Sequence, residues 1–108
     1  MTAPLTSYAK QIIQQLQRVH SVETILALHT DEWQSATQLY NQISAPIQTK
    51  IKRINELIEL GIAHEKRQPP GTFGRRRDLK LNPTYTRLQK LLHKTKQELL
   101  KEITNLEK

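Results

Sequence analysis

A chain of 108 residues has room for one modest core, and domains this small often gain stability by oligomerising. Its formal net charge is +7, and it contains no cysteine, which excludes disulfides, thiolate metal sites and cysteine redox switching within it. No stretch is long and apolar enough to span a bilayer, and no basic start followed by an apolar run marks a secretory leader, so a cytoplasmic protein is expected.

Residues 1–5 read as a loose end. Thr6 or Ser7 then caps a helix over residues 6–19, whose apolar stripe is Tyr8, Ile12, Ile13, Leu16 and Val19 among glutamines. A break at His20 and Ser21 opens a second helix that buries Val22, Ile25, Leu26 and Leu28. Thr30, Asp31 and Glu32 make a turn, and residues 33–35 a short strand with Trp33 in the core. Ser35 caps a third helix over 36–43, with Ala36, Leu39, Tyr40 and Ile43 as its contact face.

Residues 44–46 form the tight turn into the next helix, with Ser44 as its cap and Pro46 in its first turn. Ile47, Ile51, Ile54 and Ile58 recur at helical spacing, and Gly61 stands where a left-handed C-terminal residue belongs. If those isoleucines face inward, Gln48, Thr49, Lys52, Arg53 and Glu56 face out. Residues 62–68 and 76–81 are strand-like flanks around a Pro-Pro-Gly-Thr-Phe-Gly tip, in which Phe73 is either a loop anchor, the preferred reading, or a contact.

Asn82 and Pro83 start a last helix over 83–107, striped by Tyr85, Leu88, Leu92, Leu99, Ile103 and Leu106 and widened by Leu91 and Leu100. Thr95 interrupts the seam, so a strong coiled coil is not expected. Such a helix spans roughly 35 Å, more than a domain this small covers by itself. Its later half is expected to meet a second subunit, with Tyr8, Ile12, Leu16, Leu92, Leu99, Ile103 and Leu106 forming the dimer face. The alternative is packing on the chain's own first helix.

The charges are sorted by position. Residues 44–82 carry nine basic and four acidic side chains, so five of the seven surplus charges sit there. On the 44–60 helix the N-terminal half is basic and the acids Glu56 and Glu59 come late, a gradient that suits an N-terminal end entering a DNA groove. The hairpin adds Lys66, Arg67, Arg75, Arg76, Arg77 and Lys80 against Glu65 and Asp78. A concentrated basic excess on a helix and the hairpin after it points to a polyanionic partner. The fold class is therefore mainly α with a small β-hairpin wing: a winged helix-turn-helix over residues 21–82, its wing at about 62–82, followed by the long C-terminal helix, all in one domain.

This stretch resembles the winged-helix repressors of the ArsR and MarR types. Their shared pattern is a turn, a Thr, a basic residue, two spaced aliphatics, and an aliphatic-x-x-x-Gly-aliphatic exit into the wing. Leu39 and Ile43 match the preceding helix; Thr49, Lys52, Ile54, Leu57, Gly61 and Ile62 match the rest without a gap, over about residues 22–82. Three positions depart. Lys50 stands where the family buries a valine, Ile51 where ArsR-type proteins carry a DNA-facing serine, and Phe73 where MarR-type wings carry the Asp of Asp-x-Arg, although Arg75 fits the Arg. The resemblance implies a dimeric repressor of double-stranded DNA.

Catalytic chemistry is missing. His20, His29, His64 and His93 lie far apart, without a His-x-x-x-His motif or a thiol beside them. ArsR-type metal sensors use cysteines in the recognition helix or a His/Asp/Glu set on the last helix. Here those places hold Ile51, Lys52 and Arg53, and His93 with Glu98, so neither metal nor cofactor is expected. Residues 71–74 lack the lysine and following helix of a phosphate loop. Trp33, Tyr40 and Phe73 are too dispersed for a single-strand stacking platform.

The expected function is a sequence-specific, double-stranded DNA-binding transcription regulator, a homodimeric repressor on an inverted repeat, working at the nucleoid. Its DNA-binding set is Ser44, Gln48, Thr49, Lys50, Lys52, Arg53, Lys66, Arg67, Arg75, Arg76, Arg77 and Lys80. Arg53 is expected to read guanine and Lys52 to hold phosphate; a rotation that turned Lys50 outward would give Lys50 the reading role. The alternative is a winged-helix protein-interaction or architectural module with nonspecific DNA contact, which would show an exposed apolar patch instead. Nothing marks an effector site.

Overall fold

Local capping chemistry sets most of the element boundaries in the computed structural model, which describes residues 6–66 and 77–107. Thr6 accepts from the Ala9 N–H at 3.1 Å and starts helix α1 (Ser7–Leu16). The helix is shorter than expected. It ends at Leu16, and a turn over residues 17–20 leads to His20, held in the left-handed region at φ 65°. Helix α2 (Ser21–Ala27) follows. A reciprocal capping box between Ser35 and Gln38 opens helix α3 (Ala36–Asn41), directly after the two-residue strand β1 (Gln34–Ser35).

Helix α4 (Ile47–Glu59) starts at Pro46, not at Ser44. The Ser44 backbone N–H instead donates to Glu23 Oε1 at 2.7 Å, which straps the α3–α4 turn to α2. The far end of α4 closes in a Schellman motif: Gly61 N–H donates to the Ile58 carbonyl and Ile62 N–H to that of Leu57, with Gly61 at φ 81°. Leu57 and Ile62, which that motif brings together, are both fully buried.

The hairpin strands are β2 (Ala63–Lys66) and β3 (Asp78–Leu81), and β1 adds to the other side of β3, so the antiparallel order is β1-β3-β2. The register runs from Ala63 opposite Leu81 to Lys66 opposite Asp78. Asn82 ties the hairpin base to the end of α4, donating to the Gly61 carbonyl at 2.8 Å while its Oδ1 caps the turn Pro83–Tyr85. Helix α5 (Thr86–Leu106) then runs across α2, and Gln89 Nε2 satisfies the terminal carbonyls of Ile25 and Leu28.

The core is Ile25, Leu28, Leu39, Ile43, Ile54, Leu57, Ile62, Leu79 and Leu81, with Ala36 and Ala63. Three expectations about burial fail. Trp33 is 42% exposed, its ring lying 5.5 Å from the Lys80 ammonium, and its neighbour Gln34 is buried in its place. Gln34 accepts from the His29 N–H at 2.8 Å, so a polar side chain closes the α2–β1 connection. In α1 Ile13 is exposed, as is Val19 in the turn after it, while Gln15 is buried and bonds to the buried Ser21. In α2, Val22 and Leu26 are only half-buried, whereas Ser21 and Thr24 are fully enclosed.

Candidate nucleic-acid interface

Helix α4 decides what the surface can do, and its rotation differs from the isoleucine stripe by on the order of one residue step, ~100°. Ile54 and Leu57 are buried, but Ile47 is 53% and Ile51 38% exposed. Arg53, expected outside, is 9% exposed. Its Nε donates to the Val19 carbonyl at 2.8 Å and its Nη1 pairs with Glu56 at 2.6 Å, while Arg18 holds the other Glu56 oxygen at 2.8 Å. A guanidinium satisfied in this way belongs to the junction of α4 with the turn after α1, and is withdrawn from any role at base edges.

Lys50 is also drawn inward. It is half-buried, and its ammonium donates to the Tyr40 carbonyl at 2.6 Å. The long stems of Lys50 and Arg53 cover apolar surface while their charged ends find fixed partners. This is the orientation that the winged-helix pattern required, with position 50 inside and position 51 outside. Aliphatic spacing alone misplaces the helix because two of its charged side chains, Lys50 and Arg53, are drawn inward to fixed partners.

The outward face of α4 therefore consists of Ile47, Gln48, Ile51, Lys52, Asn55 and Glu59. Thr49 and Glu56 flank it half-buried, and Ser44 is exposed ahead of it. Gln48 makes no hydrogen bond with the described residues. Asn55 does: its Oδ1 accepts from Arg77 Nη2 at 2.9 Å. Arg77 also forks onto Glu65, with its Nε 2.9 Å from Oε1 and its Nη2 3.3 Å from Oε2. Burial works against the Arg77 charge, but the hydrogen bonds and charge of Glu65, helped by Tyr40, outweigh it and raise its pKa. One side chain thus joins the tip-side end of the described hairpin strands to the middle of α4.

Of the other wing residues, Lys66 is exposed and Lys80 lies over Trp33. Arg67, Phe73, Arg75 and Arg76 lie outside the described residues, as does the whole expected tip.

The second strap behind this surface is Glu23. His20 Nδ1 lies 3.0 Å from its Oε2, and the Ser44 N–H holds its Oε1. These two hydrogen bonds, His20 first, keep the Glu23 carboxyl below the ordinary glutamate pKa.

The expected dimer face divides in two. Ile12, Leu16 and Leu92 pack against this chain's own core. Tyr8 is exposed, although its hydroxyl donates to the Leu60 carbonyl at 3.0 Å. On α5 every described residue from His93 onward is exposed, including Leu99, Leu100, Ile103 and Leu106. The stripe that begins half-buried at Leu88 and Leu92 runs on along this overhang, where none of the described residues covers it.

Among the described residues no three His, Cys, Asp or Glu side chains converge as a metal site, and no helix is long and apolar enough to cross a membrane. The helix-turn-helix of α3 and α4, the three-stranded sheet with its hairpin, and the long final helix define a winged-helix fold in general. Its surface is compatible with a DNA-binding module of that kind. Comparison with protein-family models, curated proteins and solved structures returned no match for this chain.

Proposed function

We propose that this chain is a sequence-specific, double-stranded DNA-binding transcription regulator of the repressor class. It acts in the cytoplasm on the nucleoid, as a dimer on an inverted repeat. The observation that carries the reading is the outward face of α4. Its N-terminal two-thirds offers Gln48, Lys52 and Asn55, no described element covers it, and its one described partner is the arginine that ties it to a basic hairpin. An α-helix fits the major groove, and the wing beside it reaches the backbone or the adjacent minor groove. Dimerisation is supported by the uncovered stripe of α5, since two copies packed through Leu99, Ile103 and Leu106 would each hold one half-site.

Selection from a random duplex pool tests this, followed by affinity for the selected site and for random duplex at one salt concentration. The expected result is an inverted repeat with half-site centres about one helical turn apart, bound at least roughly a thousandfold more tightly than random duplex. Equal affinity for both would leave the second reading, a protein-interaction or architectural module with nonspecific DNA contact. The exposure of Ile47 and Ile51 on α4 is the observation that favours that alternative.

A further inference from the structure

The two exposed isoleucines share their surface with two carboxamides. Ile47, Gln48, Ile51 and Asn55 fall within one arc of α4, with Lys52 at its edge. Aliphatic side chains left in water at the centre of a polar helix face lose free energy unless something apolar covers them. The major groove contains one apolar group, the 5-methyl of thymine.

The carboxamides fit the other half of the same base pair. An Asn or Gln amide bonds adenine N6 and N7 together, and adenine stands opposite thymine. For Asn55 the amide orientation is fixed, because Arg77 can only donate and the atom facing it must be the oxygen. Its second oxygen lone pair and both N–H groups remain for a base. Guanine is read best by the arginine fork, and the only arginine of α4 is Arg53, turned inward and satisfied by Val19 and Glu56.

We infer that α4 reads A·T base pairs: Ile47 and Ile51 contact thymine methyl groups, and Gln48 and Asn55 bond adenine edges. The inference rests on the proposed DNA-binding reading and adds to it the base composition of the half-site and three specificity residues, Ile47, Ile51 and Asn55. Lys52, at the edge of the arc, is left for phosphate.

The test uses the full chain and the duplex obtained by selection, with each thymine replaced in turn by deoxyuridine, which pairs identically but lacks the methyl. Burial of one methyl changes affinity by about fourfold. One or two positions in each half-site should therefore lose about fourfold, and roughly fifteenfold when the equivalent positions of both half-sites are changed. Ile51→Ala or Ile47→Ala should remove that sensitivity at its own position while leaving the other intact. Both side chains are exposed, so neither variant should impair folding, which circular dichroism checks. A specifically bound duplex that tolerates deoxyuridine at every position would overturn this inference alone. So would methyl sensitivity that survives in both variants. Failure to select any preferred duplex would overturn it together with the reading beneath it.

Discussion

Replacing Arg53 by alanine separates a structural role from a reading role in one experiment. The side chain is 10% exposed and makes two hydrogen bonds, one to the Val19 carbonyl and one to Glu56. A hydrogen bond to a charged group contributes about 1.5–3 kcal/mol, and removing one partner of a buried pair costs roughly 3–5 kcal/mol when the other is stranded. Glu56 is not stranded, because Arg18 still holds its second oxygen and its side chain keeps 18% of its exposure. The expected destabilisation is therefore about 2–3 kcal/mol, mostly from the orphaned Val19 carbonyl and the lost packing of the stem. In a domain of this size that lowers the melting temperature by on the order of 10–20 °C. Thermal denaturation followed by circular dichroism measures it, with Arg53→Met as the variant that keeps the stem and should lose less. A melting temperature within a few degrees of the parent, combined with an altered DNA preference in Arg53→Ala, would refute the inward placement.

Three further outcomes are expected. Leu99→Lys with Ile103→Lys should leave the folded monomer intact, since both side chains are already exposed. Sedimentation should show that it no longer dimerises at micromolar concentration, and DNA affinity should fall because one half-site is held at a time. Gly61→Ala should cost about 1–2 kcal/mol by urea denaturation: a Cβ there meets nothing within 4 Å, so the penalty is that of a left-handed backbone alone. Glu23 has a depressed folded-state pKa, so the stability it contributes is present above the unfolded value and lost as pH falls through the folded one. Unfolding free energies below about pH 4.3, the ordinary glutamate value, should drop less steeply in Glu23→Gln than in the parent.

The sequence made the local stops and starts legible because each depends on one or two residues. Thr6, Ser35, Asn82 and Gly61 all act at the ends where their chemistry placed them. Ser44 did not: the helix begins at Pro46, and the Ser44 backbone N–H is held by Glu23, distant in sequence. The hairpin strands and the long last helix were legible from strand-like flanks around a Pro- and Gly-rich tip and from an apolar stripe free of Gly and Pro. The rotation of α4 was not legible from periodicity, since Lys50 and Arg53 go inward only because Tyr40, Val19 and Glu56 are waiting there. Positions 50 and 51, where the sequence departs from the pattern it resembles, are the ones at which a charged residue turns inward and an aliphatic one outward. Asn55, Ile47 and Ile51 were missed at the candidate site for the same reason.

Arg77 has a consequence for how quickly and how faithfully such a surface engages its target. A hairpin and a helix that moved independently would each lose freedom on docking, and the ordering entropy would be subtracted twice. Here the guanidinium that grips Glu65 on one strand and Asn55 on the helix has settled their relative position in the free protein. On the proposed DNA-binding reading, backbone grip and base selection would then succeed or fail as a unit. A phosphate offset that displaced the hairpin would also drag Asn55 off the base assigned to it, so a wrong site would be released early instead of being half accepted. Severing that link should loosen discrimination before it loosens attachment.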